Sequence, residues 1–283
     1  YERFLLVRTV NLVKLVFRTL ILLTVLNLYG DALSIVIMDT IFTILTICIM
    51  AYYSIVKIGV RINFNGFTLS LFKKVFGYSI WIFVFAMYQQ IQWESGKLIL
   101  GSSIGAKEVA VYALGVMLAL YYSGLATSIL SMFLPKANQI LANDGSIDEF
   151  MSAGKSISRI ILKILVPVIV LFFFYGEEFV LLWLGAEYKQ VYVITLTIML
   201  LYLPALLQGF MGSLLQALDK VKERALISLF GALFGVCVSL LLVPEYSING
   251  VLIGLAVGWA VTQVMLNILY LYLEIPAYKM LAI

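Results

Sequence analysis

The chain has 283 residues, of which 63% are hydrophobic and 12% charged, with a formal net charge of +4 and a mean hydropathy of +1.07. Soluble domains carry roughly 45–50% apolar and roughly 25% charged residues, so this composition excludes a soluble globule, whose single core could not hide so much apolar surface. The useful unit is the membrane span of about 20 apolar residues, and the expected class is an all-α integral membrane protein. Membrane orientation accounts for most of the positive charge, and no nucleic-acid partner is expected.

The first expected span covers residues 11–29. Its uncharged run, Thr19 to Tyr29, is too short to cross alone, so Lys14 and Arg18 enter the membrane zone. Arg8, Asn11, Lys14 and Arg18 recur at three- or four-residue steps and share a helix face. Two readings stay open: long side chains snorkelling to headgroups, or a basic stripe facing a cavity that takes an anion. The second expected span, Ala32 to Val56, carries Asp39 about a third of the way in. A carboxylate at that depth costs a few kcal/mol unless paired, hydrated or protonated, which makes Asp39 a site candidate or a partner for a neighbouring helix. Arg18 enters from the opposite side, so the sequence does not establish that the two meet.

A basic loop, Lys57 to Lys74, leads to a third span from Val75 to about Gln92. Its outer end is polar: Gln89, Gln90, Gln92, Glu94 and Lys97 suit protein or water and not lipid. The fourth span, Val109 to Leu134, sets Gly124, Ser128 and Ser131 on one face, expected to pack against another helix. A polar loop, Lys136–Ser158, precedes the fifth span, Ile160 to Tyr175, with a kink expected at Pro167 and a boundary segment at 176–188. The sixth, Val191 to Leu218, holds Pro204 and a stripe of Gln208, Gly212 and Gln216, so it is expected to be bent and polar on one side. A charged turn, Asp219 to Arg224, separates it from the seventh, Ala225 to Val243. The eighth, Ile248 to Leu273, follows a turn at Pro244 to Gly250. Gly231 and Gly235, then Gly250, Gly254 and Gly258, step by four and read as a close-packing seam.

Eight spans with both ends cytoplasmic put 16 of the 19 Lys and Arg on the inner side, leaving only Lys97, Lys107 and Lys189 outside. Cys48 and Cys237 fall inside apolar runs and are expected as reduced core thiols. Histidine is absent. No nucleotide-cradling loop, nucleophile elbow or metal-ligand spacing occurs, which argues against ATP hydrolysis and metal catalysis. Glu177-Glu178 and Asp148-Glu149 are expected in solvated loops. Inward polar groups, kinked spans and small-residue seams fit a transporter or flippase. The chain begins at Tyr1 without a signal-peptide pattern, so its natural start is expected upstream.

Tyr1-Glu-Arg-Phe, the run KLILGSSIGAKEVAVY from Lys97 to Tyr112, GEEFVLLWLGAEY from Gly176 to Tyr188 and SINGVLIG from Ser247 to Gly254 together resemble the polysaccharide-biosynthesis (oligosaccharide) flippases. These belong to the superfamily that includes multidrug-and-toxin extruders. The resemblance implies a MATE-like bundle of two six-helix halves around a central cavity, with the first four helices missing here. Residues 1–56 would then be the last two helices of the first half, 57–74 a cytoplasmic linker and 75–283 the second half. It further implies translocation of an undecaprenyl-pyrophosphate-linked oligosaccharide across a prokaryotic cytoplasmic membrane, alongside polysaccharide polymerase and assembly proteins. No cofactor is implied beyond a coupling proton or sodium ion, which Asp39 or Glu94 could bind. Arg18 and Lys14 would meet the pyrophosphate and Gln89, Gln92 and Glu94 the sugars, with Lys97 as cavity rim or salt partner of Glu94. The alternatives are a cation-coupled drug exporter of the same superfamily, a membrane glycosyltransferase or polymerase, and a scaffold for an assembly complex.

Overall fold

The computed structural model describes residues 13–22, 24, 32–57, 68–131, 133, 139–140, 147–273 and 275. Among them there is helix and no strand, as the apolar composition requires of a chain whose backbone must satisfy itself in lipid. The chain divides into two compact units, residues 1–69 and 70–283.

In the first unit, residues 13–22 are helical and α1 covers Ala32–Tyr52, followed by a π-helical turn, Tyr53–Lys57. Lys14 faces Thr43 and Arg18 faces Asp39. Each step of four forward on one helix is a step of four back on the other, so the pair is antiparallel.

The second unit contains α2 (Leu69–Ser103), α3 (Ala106–Ser131), α4 (Ile147–Leu184), α5 (Gln190–Leu207), α6 (Met211–Ala217), α7 (Val221–Tyr246) and α8 (Ile248–Tyr272). Residues 106–131, 147–184, 186–207, 221–246 and 248–272 are long and apolar enough to cross a membrane. They correspond to the expected fourth to eighth spans, the pattern of a multi-pass membrane protein. The expected third span lies in α2, whose 35 residues extend about 52 Å at 1.5 Å per residue. That length exceeds the roughly 30 Å of a hydrocarbon core.

α7 and α8 form the tightest pair. A Cβ added at Gly254 would lie 2.6 Å from the carbonyl oxygen of Gly235, and one at Gly258 would lie 2.8 Å from that of Gly231. The glycine seam therefore brings backbone onto backbone, as its spacing predicts. α3 meets α5 through a side chain laid on a glycine: a Cβ at Gly115 would fall 2.6 Å from the Ile194 side chain, and the buried Thr195 hydroxyl donates to the Gly115 carbonyl at 3.2 Å. The Ser158 hydroxyl of α4 donates to the Leu207 carbonyl at 2.6 Å, which satisfies one of the open carbonyls at the end of α5.

Several expectations are corrected. The bend expected in the sixth span is a full interruption of the helix: α5 stops at Leu207, residues 208–210 turn, and α6 begins at Met211. Pro204, which has no N–H to donate, lies three residues before that stop. The expected turn Pro244 to Gly250 shrinks to Ser247 alone, with φ 51° and ψ −128°, because Pro244 is accommodated inside α7. α4 is one 38-residue helix that runs through Pro167 and absorbs the end of the polar loop and residues 176–184 of the boundary segment, whose remainder is Gly185 and a short 3-10 turn, Ala186–Tyr188. Glu177 and Glu178 are thus helical, and Asp148 and Glu149 occupy the first turn, where carboxylates oppose the positive end of the helix dipole. Cys48 and Cys237 are free but exposed on helix surfaces and not in the core, since an apolar run in a span marks lipid contact as readily as burial. Among the described residues the Gly124 stripe packs against no neighbouring helix at Gly124, where nothing lies within 4 Å of an added Cβ. The Ser128 and Ser131 hydroxyls donate back to carbonyls of their own helix.

Candidate functional site

A cavity of about 370 Å³ opens in the second unit between α2, α3, α5, α6, α7 and α8. The helix break makes it. Once α5 stops, Gln208 turns inward, and the Gln263 amide of α8 donates to its carbonyl oxygen. α6 continues past the cavity with Gly212 facing it, and beyond this the Gln216 amide donates to the Tyr78 hydroxyl of α2 at 3.0 Å. The polar stripe Gln208, Gly212, Gln216 read from the sequence thus serves the cavity and its edge.

Arg224, in the first turn of α7, projects into this space. Its guanidinium carbon lies 4.3 Å from the centroid of the Phe85 ring, a cation–π contact worth about 0.5–2 kcal/mol. Gly212 leaves room for it, since a Cβ there would stand 2.5 Å from a guanidinium nitrogen. Tyr88, Tyr202 and Tyr270 are its other electrostatic neighbours. Among the described residues no carboxylate reaches ion-pair distance of Arg224, and none lines the cavity. The charge is therefore held by aromatic faces and remains able to bind an anion.

The lining also carries an aromatic wall. Tyr202 and Trp259 stack with ring centroids 4.7 Å apart at 12°, and Trp93 meets both edge-on at 5.4 and 5.7 Å. The cavity so combines one cation, amide groups from Gln89, Gln208 and Gln263, and a flat apolar surface. Such a lining can bind an anionic group and hydrogen-bond a polar one at the same time.

Of the residues singled out by sequence, Gln89 lines this cavity. Gln92, one turn on, is 5% exposed and faces a small void beside Ser95, Tyr112 and Ser239, where its Oε1 finds no partner among the described residues. Glu94 and Lys97 form an ion pair with each other at 2.8 Å. Lys14, Arg18 and Asp39 belong to the first unit. There the Arg18 Nε and Nη2 donate to the two Asp39 oxygens at 2.5 and 2.7 Å, and Lys14 Nζ donates to Thr43 Oγ1 at 3.4 Å. Arg18 is therefore neutralised by a bidentate partner whose encounter the sequence left open.

Sequence reasoning passed over Arg224, Trp259, Tyr202 and Gln263. Arg224 stood in a run of charges, Asp219 to Arg224, that reads as a solvated turn. Within that run Lys220 pairs with Glu223 at 3.3 Å and Lys222 sits 5.2 Å over the Trp81 ring, leaving only Arg224 directed inward. The signal was available in the helix face: Arg224, Ser228, Gly231 and Gly235 lie at steps of four, three and four, so the arginine continues the line of the glycine seam.

Residues 3–193, more than half of the chain, match the model of a family described as polysaccharide biosynthesis protein. No curated protein and no solved structure matches the chain.

Proposed function

Since the chain belongs to the polysaccharide biosynthesis protein family, we propose that it moves a lipid-linked oligosaccharide across the membrane, and that the cavity around Arg224 receives the headgroup. The observation that carries this reading is an inward guanidinium without a carboxylate partner among the described residues, set in a lining of amides and aromatic rings. A polyprenyl-pyrophosphate sugar offers the matching parts: a doubly anionic linkage for Arg224, hydroxyls for Gln89, Gln208 and Gln263, and a lipid tail that stays in the bilayer. The chain acts as a transporter and not an enzyme on this reading, in a prokaryotic cytoplasmic membrane with both ends cytoplasmic. Polymerase and assembly proteins consume the delivered unit, and a proton or sodium gradient supplies the drive.

The cavity lining also weighs against a cation-coupled drug exporter. A cationic drug would meet Arg224 without a carboxylate to offset the repulsion among the lining residues.

The test is reconstitution of the chain in liposomes with a fluorescent polyprenyl-pyrophosphate oligosaccharide and a membrane-impermeant quencher. Faster exposure of the probe than in protein-free vesicles, slowed in Arg224→Gln, supports the proposal. Vesicles that instead export a cationic dye against a cation gradient, with no effect on the lipid probe, would move the chain to the exporter reading.

A further inference from the structure

A second cavity lies at the other end of the same bundle. α3, α5, α7 and α8 each touch the Arg224 cavity near one end, through Thr127, Tyr202, Arg224 and Tyr270. Near their opposite ends they contribute Glu108, Gln190, Tyr246 and Asn249 to a separate space of about 320 Å³. That volume is at the lower end of small-ligand sites.

Its chemistry differs from that of the first. Glu108 supplies a carboxylate, Gln190 and Asn249 supply amides that both donate and accept, Ser247 a hydroxyl and Tyr246 a half-exposed ring. Among the described residues Glu108 makes no ion pair, although Lys107 and Glu187 pair nearby at 3.9 Å. Three helices begin here, and their N-termini alone would favour an anion. Glu108, in the first turn of α3, opposes that field. The groups that remain are paired donors and acceptors beside an aromatic face, the lining that vicinal hydroxyls and a C–H surface satisfy together.

We propose that this second cavity binds a sugar ring that is neutral or carries an amine, and that it disfavours acidic sugars. The choice of sugar over other polyols rests on the function proposed above. The site gives the bundle a polar station for a saccharide at the end remote from Arg224. Ser247 belongs to it directly: as the sole residue joining α7 to α8, it sets Tyr246 and Asn249 on either side of the space.

The experiment is saturation-transfer NMR on the full chain in detergent, with glucose, N-acetylglucosamine, glucosamine and glucuronate as separate probes. Binding of at least one of the first three, ahead of glucuronate, is expected. Asn249→Ala combined with Gln190→Ala, both at exposed positions, should weaken it roughly tenfold through two lost hydrogen bonds. Glu108→Gln should erase any preference for glucosamine. No transfer to any of the four, preference for glucuronate, or equal transfer to wild type and the double variant would overturn the assignment. Translocation of the lipid probe is measured on the same preparation. Sugar binding without translocation overturns the transport reading and leaves the site standing, whereas translocation without sugar binding overturns the site alone.

Discussion

The guanidinium of Arg224 rests 4.3 Å from the centroid of the Phe85 ring, so α7 and α2 each supply one half of a cation–π pair in the cavity lining. Removing the charge removes the group proposed for the pyrophosphate. Arg224→Gln should weaken binding of a polyprenyl-pyrophosphate sugar by about 10–100-fold, the equivalent of one lost charge-assisted contact of about 1.5–3 kcal/mol. Arg224→Lys should recover part of it, because a lysine keeps the charge without the planar fork. Equal affinity in all three proteins, measured by fluorescence titration in detergent, would sink the assignment.

Gly212 gives a separate handle on the same arginine. A methyl group at position 212 would fall 2.5 Å from a guanidinium nitrogen, the far end of a flexible side chain, so Gly212→Ala should push Arg224 aside and leave the helices in place. Transport is expected to drop several-fold while the melting temperature in detergent stays close to wild type. A collapse in thermal stability would show that Gly212 serves packing and not the guanidinium.

The α7–α8 seam should respond in the reverse way. At Gly254 an added Cβ would meet the Gly235 carbonyl oxygen at 2.6 Å, and backbone cannot swing aside as a side chain can. Gly254→Ala should destabilise the protein by about 1–3 kcal/mol through overpacking, and Gly254→Leu should abolish accumulation. Thermal unfolding followed by fluorescence size exclusion reads this directly. Wild-type stability in the alanine variant would contradict the close approach.

Arg18 and Asp39 test the first unit. Asp39→Asn should strand a guanidinium on a helix with few polar neighbours and lower the amount of membrane-inserted protein, and Arg18→Gln should do the same to the carboxylate. The exchanged pair, Arg18→Asp with Asp39→Arg, should restore much of the loss, because the antiparallel register places the two positions opposite each other. If the exchange is no better than either single change, the pair does not hold the two helices together.

The two cysteines offer a topographic check. Cys48 and Cys237 are exposed within apolar helices, so in membranes they should resist a charged maleimide and react with a permeant one. Prompt labelling of either by the charged reagent would put that face in water.

The helical class was legible in the apolar composition and the length of the apolar runs, and the glycine seam in spacing along one helix. Gly231 and Gly235 met Gly254 and Gly258 as a four-residue repeat predicts. Partners in space were harder to read. The polar end of α2 announced itself through five polar residues, yet only Gln89 reaches the main cavity, because successive residues on a helix point about 100° apart. Arg224 was hidden by its neighbours: six consecutive residues, five of them charged and one a valine, look like a surface turn until the helix face is followed forward to Ser228. The break after Pro204 was foreshadowed by the proline, but that the chain would turn and begin α6 depended on contacts such as Ser158 with Leu207, which no local pattern encodes.

Ser247 joins α7 to α8 without slack, and the seam locks the two backbones along their length. The hairpin is therefore a lever with both cavities mounted on it, Arg224 and Tyr270 near one tip and Tyr246 and Asn249 at the other. A tilt about its middle would displace the tips in opposite directions. One end of the bundle could then narrow as the other widens, with no bending of either helix.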